Sequence, residues 1–272
     1  MKFDMSAAWR DATAMMQGNR EVLLIVAGIF FFLPSLISGL VMPDMQDILV
    51  DMENPEAMQA RLLAVYTSYG WLFLLTLLAQ LVGYLSLLGL LRDDAKPTVG
   101  EALKGGLIGL LPAIGTYLAF SIGVALAFTA LIVLATLTGV PAIAAVVGLL
   151  AFVGLIYLMV KVSLSLPVIA IDKVLNPLKV LARSWKLTKG NSVRLFLFYL
   201  LIWIVYFVVA IVLGLVLAAV AFVVGATIFT MLNAVLSGLI SAGVSIVFVS
   251  VLAAIHRQLA GPSVAAVSQT FD

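Results

Sequence analysis

Seven cations crowd one stretch of this chain. Lys161, Lys173, Lys179, Arg183, Lys186, Lys189 and Arg194 share residues 161–194 with a single acid, Asp172, for a net +6. Cations at that density attract phosphate or carboxylate groups, and beside an anionic bilayer each adds about 1 kcal/mol of attraction. Other chemistries lack their residues. The absence of cysteine removes disulfides, thiolate metal sites and thiol nucleophiles. His256 is the only histidine, too few for a histidine metal cluster. The sequence carries no Gly-rich phosphate loop, paired-carboxylate site, nucleophile elbow or metal-ligand spacing. The chain therefore reads as a non-enzyme, with no catalytic residue, metal or cofactor expected and no nucleic-acid partner.

The elements that position these cations follow from composition. Of 272 residues, 64% are hydrophobic and 10% charged, with a mean hydropathy of +1.23. Soluble domains carry about 25% charged residues. The charges cluster between long uncharged runs: 22 residues between Glu21 and Asp44, 30 between Arg61 and Arg92, 56 between Lys104 and Lys161, and 61 between Arg194 and His256. A membrane helix needs about 20 apolar residues, so the first two runs hold one span each and the last two a hairpin each. The fold class expected is all-α, a polytopic integral membrane protein with six transmembrane helices and short cytoplasmic interfacial helices. The spans fall near 22–42, 70–91, 112–137, 142–161, 195–223 and 233–254. Thr138-Gly139-Val140-Pro141 bends one hairpin, and the other bends between Gly225 and Asn233. Pro112 is expected to divide an interfacial piece from the third span. The first span reads as an uncleaved anchor, because its leading flank is neutral and no small-x-small site ends it.

Six spans place 14 of the 15 basic residues on one side, with Arg61 alone opposite. Positive charge marks the cytoplasmic face, so both termini are expected there. The external 43–69 segment nets −4 and carries a short helix capped by Asn54 with Pro55 first. Each pair of spans follows an amphipathic stretch on the basic side. The first, near 4–17, places Met5, Ala8, Trp9, Ala12 and Met16 on one face. The second opens at Pro97-Thr98-Val99-Gly100-Glu101, a capping box, and the third runs from Asn176-Pro177 to Lys189. Gln17-Gly18-Asn19-Arg20 and Lys189-Gly190-Asn191-Ser192 each precede a span. A single membrane domain, 1–272, built from hairpin units 1–91, 92–172 and 173–272 is the expected organisation.

On a wheel of the third stretch, Leu178, Leu181, Ala182 and Trp185 form one face, and Lys179, Arg183 and Lys186 form the adjacent stripe. That pattern describes a helix lying in the headgroup layer, a depth that suits Trp185. Lys173, Lys189 and Arg194 extend the positive zone. These residues, with Lys161, are the candidate site for anionic lipid headgroups or an acidic partner. The competing reading is that they enforce topology and rest among headgroups without a defined pocket.

The string Ile171-Asp172-Lys173-Val174-Leu175-Asn176-Pro177, followed by Ala182-Arg183-Ser184-Trp185-Lys186-Leu187-Thr188-Lys189-Gly190-Asn191, resembles bacterial proteins of the glycerophosphodiester phosphodiesterase membrane-domain type. The Pro97–Leu103 segment and six-span layout are similar to that group as well. Its membrane domain is sometimes fused to a soluble phosphodiesterase barrel. No such barrel fits in this chain, so the catalytic activity in the family name is not transferable; the resemblance implies an integral membrane protein, in a bacterial cytoplasmic (inner) membrane, whose own molecular role is poorly defined.

Within the spans, ionisable groups would mark ion pathways, yet five of six have none. Lys161 lies either at the bilayer edge or inside the membrane, and Ser163, Ser165 and Pro167 favour the edge. His256 reads as a dipole partner at the end of the last span. Asn233, Ser237, Ser241 and Ser245 recur every four residues, with Gly238 and Ala242 alongside, as a helix-packing stripe, the alternative being the lining of a hydrated path. Thr76 and Gln80 form a similar polar pair. The function expected is a non-catalytic membrane protein binding anionic lipids, or a partner protein or second copy, through its basic helix. The alternative is a transporter of a lipid or other amphiphile, with a lipid-acting enzyme third.

Overall fold

The computed structural model describes residues 2–42, 55–92, 97–221 and 223–261. Every regular element among them is helical, and six helices are long and apolar enough to cross a membrane. The chain is an all-α polytopic membrane protein. Interfacial α1 (Met5–Gly18) leads into span 1, made of α2 (Arg20–Ala27), a wide π turn over Gly28–Phe32 and α3 (Leu33–Val41). Span 2 is α4 (Pro55–Leu90), span 3 is α5 (Val99–Leu137), and span 4 is α6 (Pro141–Val162) with a short α7 (Ser165–Ala170). The second interfacial helix, α8 (Pro177–Thr188), precedes span 5, α9 (Ser192–Ala221), and span 6, α10 (Ala226–Ala260).

The π turn has a local cause. Pro34 offers no N–H, and its ring crowds the carbonyl four residues back, at Phe30. Just upstream the ladder widens, with the Leu33 N–H reaching Gly28 instead of Ile29.

Two expected breaks do not occur. The short helix read after residue 54 runs without interruption into span 2 as the 36-residue α4. The acids Asp44, Asp47, Asp51 and Glu53 and the cap at Asn54 lie outside the described residues. Pro112 sits inside the continuous 39-residue α5. Hydrocarbon offers no water to freed backbone groups, so keeping the rest of the ladder outweighs one missing bond. Elsewhere the turn chemistry is met. Gly139 takes φ 65, the left-handed bend that a side chain resists, and Pro141 opens α6. Thr98 and Glu101 form the reciprocal capping box. The last hairpin turns earlier than expected, because Gly225 caps α10 and Asn233 lies within the helix.

Helix packing rests on small residues. Ala102, Gly106, Gly109, Ala113 and Thr116 form the buried stripe of α5, at alternating spacings of four and three. A Cβ on Gly106 would fall on the Ser86 hydroxyl and 2.9 Å from the Val82 carbonyl, so α4 and α5 cross almost backbone to backbone. The expected stripe on span 6 is met at Gly238 and departed from at Ser237. Ala234 and Gly238 are the residues buried against span 1, where they meet Gly39 and Phe32. Ser237 is exposed and Ser245 is buried, its hydroxyl donating to Ser241 of its own helix at 2.7 Å. Residues four apart advance about 40° around a helix, so a four-residue stripe turns out of one contact within three steps. Thr76 meets Ser38 across spans 1 and 2 at 3.4 Å.

The buried core lies toward the basic end, where spans 1, 2 and 6 meet α1, α7 and α8. The residues of α1 that enter it are Ala8, Ala12 and Met15, while Trp9 is exposed.

Candidate functional site

The basic end is built around α8. Asn176 caps it by accepting from the Lys179 N–H at 3.1 Å, and Pro177 begins it. The helix has a third face that the wheel did not distinguish: Val180, Ser184, Leu187 and Thr188 are buried in the protein. Ser184 fixes the docking, its hydroxyl donating to the Lys161 carbonyl at the end of α6 at 2.7 Å. Leu178 and Trp185 remain exposed beside Lys179, Lys186 and Lys189, which are exposed too. An apolar edge next to a basic stripe is the geometry of a helix at the membrane surface.

Lys161 departs from the expected role. It is 2% exposed, and its ammonium lies 5.2 Å from the Tyr157 ring and 5.3 Å from the Trp185 ring. The two rings meet edge to face at 6.0 Å. A headgroup cannot reach this cation; instead it ties α6 to α8 by cation–π attraction. The 22-residue α6 is about 33 Å long, one bilayer core, and Lys161 occupies its last turn, where the helix dipole favours a cation.

Asp172 is the residue that the sequence reading passed over. Its Oδ2 accepts from Arg183 Nε at 3.0 Å. Its Oδ1 lies 3.1 Å from His256 Nε2, out of line for a ring N–H hydrogen bond. Burial pushes the Asp172 carboxyl up, and His256 and Arg183 at its two oxygens more than offset that, holding it below the usual carboxylate range. His256 is 3% exposed and is therefore a buried partner of Asp172, not a simple dipole cap. The signal was present: one acid among seven cations, and one histidine in the chain. Directly after Asp172 the backbone turns at Lys173, in the left-handed region at φ 57, where glycine is the usual residue.

The remaining cations divide. Arg183, Lys186 and Lys189 converge with Asn191 on a pocket of about 200 Å³, whose other lining residues are Leu187, Leu259 and Ala260. Lys173 lies over Gly105 at the start of α5. Arg194 donates to the Phe3 carbonyl at 3.2 Å, as part of a clamp on the N-terminal segment. In that clamp Phe3 N–H donates to Asn191 Oδ1 at 2.8 Å, and Asp4 exchanges hydrogen bonds with Gln258 at 3.1 and 3.3 Å. Asp11 pairs with Arg257 at 3.6 Å. The N-terminal helix, α8 and the end of α10 thus occupy one end of the molecule.

The two similar words also take comparable positions. Asn19 and Asn191 each accept the first backbone bond of a span, from Leu23 at 3.0 Å and Leu195 at 2.9 Å, and both leucines are buried. No protein-family model, curated protein or solved structure matches the chain.

Proposed function

We propose that this protein is a non-catalytic component of a bacterial cytoplasmic membrane that binds anionic lipid headgroups through its basic end. The observation that carries the reading is α8 itself: Leu178 and Trp185 are exposed on the same short helix as Lys179 and Lys186, with Lys189 at its end. Three lysines at about 1 kcal/mol each give up to roughly 100-fold enrichment of anionic lipid. The 14-to-1 division of basic residues favours a cytoplasmic position for this end and both termini. The resemblance to the glycerophosphodiester phosphodiesterase membrane domain agrees with a place in the membrane. The test is lipid analysis of protein extracted in mild detergent. Wild type is expected to retain anionic lipids in excess of their membrane share, and K179E/K186E/K189E to lose that excess; equal retention by both rejects the reading.

A second reading, transport of an amphiphile, is favoured by one observation. The most apolar windows of spans 3, 4 and 5 are only 6%, 11% and 0% buried within the protein. Their open flanks could border a lipid path. Lipid scrambling by reconstituted protein tests that reading, and rates equal to empty vesicles reject it.

A further inference from the structure

We infer that the pocket between α8 and the end of α10 holds one phosphomonoester headgroup of a membrane lipid, gripped by Arg183, Lys186 and Lys189. This inference rests on the basic-end reading and adds a defined site and headgroup chemistry to it. The pocket measures about 200 Å³, below the roughly 300–1,000 Å³ of sites for drug-sized molecules. It therefore suits a phosphate-sized group and not a nucleotide.

The arrangement of Arg183 supports that choice. Its Nε is committed to Asp172 at 3.0 Å, which restrains the guanidinium plane. Among the described residues those terminal nitrogens have no hydrogen-bond or ion-pair partner. Such a fork matches two oxygens of one phosphate. Asp172 would repel an anion if unbalanced, but Arg183 and His256 occupy its two oxygens. It is a positioning residue for the fork.

Charge and polarity narrow the ligand further. Lys186 and Lys189 are exposed and, among the described residues, have no acidic partner. The last turn of α10 brings about half a negative charge to the pocket and Asp172 a full one beside Arg183, against three cationic side chains, for a local balance of about +1.5. A phosphomonoester carries about −1.5 to −2 near neutral pH on three terminal oxygens, and a diester carries one charge on two. The monoester is the better match for that balance. Leu187, Leu259 and Ala260 beside them offer contact to the glycerol side of a lipid, which inorganic phosphate lacks.

Native mass spectrometry of the full chain in mild detergent tests this, using dioleoyl phosphatidic acid, dioleoyl phosphatidylglycerol, dioleoyl phosphatidylcholine and inorganic phosphate as probes. One phosphatidic acid per chain is expected, bound about tenfold or more tighter than phosphatidylglycerol. K186Q, K189Q and the charge-preserving R183K should each weaken it about tenfold. K179Q removes the same charge from α8 outside the pocket and should change binding less than about twofold. Unchanged elution and helicity of the variants confirm folding. If both anionic lipids bind alike, in several copies, and K179Q matches K186Q, the pocket is refuted while the basic-end reading stands. If neither exceeds phosphatidylcholine, both fail. Inorganic phosphate binding as tightly as phosphatidic acid overturns the lipid assignment.

Discussion

Replacing Asp172 with Asn removes the charge shared by Arg183 and His256 while keeping the side chain's size. The two partners predict unequal losses. The Arg183 side chain is 39% exposed, so solvent screens its share to at most about 1 kcal/mol. The His256 side chain is 4% exposed, so its 3.1 Å contact with the carboxylate is little screened by solvent, and removing that carboxylate charge costs about 1–3 kcal/mol. D172N should therefore destabilise the fold by about 1–4 kcal/mol at neutral pH. Denaturant unfolding of the full chain in mixed micelles measures this, with D172N/H256Q and D172N/R183Q double-mutant cycles apportioning it. The coupling to His256 is expected to exceed that to Arg183. A D172N loss under about 0.5 kcal/mol, or the reverse order of couplings, would refute the buried-partner account. Acid gives a second readout. Because the Asp172 carboxyl is held below its ordinary 3.8, its contribution is complete above that pH and is lost as pH falls through the lower folded value. Wild type should lose this increment below about pH 4, and D172N should lack it.

Three further outcomes follow from the same geometry. G106A forces a Cβ onto Ser86 and toward the Val82 carbonyl, so it should cost about 1–3 kcal/mol in the same unfolding assay. S86A should restore only part, because backbone atoms remain in the way. T98A breaks the capping box and should cost about 0.5–2 kcal/mol locally, seen as roughly 2- to 30-fold faster hydrogen exchange over residues 99–104 with exchange in α10 unchanged. W185L removes one ring from the Lys161 ammonium and should cost about 0.5–2 kcal/mol; a cost equal to that of L178A, whose side chain is exposed, would argue against the tie between α6 and α8.

Uncharged run lengths and local turn chemistry were legible in the sequence, because both are properties of consecutive residues. Uncharged run lengths gave six spans, and Thr98, Gly139, Pro141 and Asn176 marked helix ends that the fold uses. Pro112 misled because a rule weighted for water overstates a proline's power to end a helix in hydrocarbon. The wheel of α8 separated apolar from basic residues but could not divide the apolar ones between protein and lipid. Val180 and Leu187 turned inward and Leu178 and Trp185 outward. Lys161 was misplaced for a related reason, since its burial depends on Trp185 arriving from another helix. The Asp172–His256 contact joins residues 84 positions apart (256 − 172), a pairing that no local pattern encodes. Of the eight residues read as a lipid site, three meet at the pocket and the others serve docking, clamping or the exposed basic surface.

The side of the membrane on which α8 lies decides whether anionic cytoplasmic lipids can meet it. The chain has no cysteine, so K186C and R61C each introduce a single label site. Membrane-impermeant maleimide applied to intact cells should modify R61C and leave K186C untouched until the membrane is opened. Labelling of K186C from outside, with R61C protected, would contradict the account.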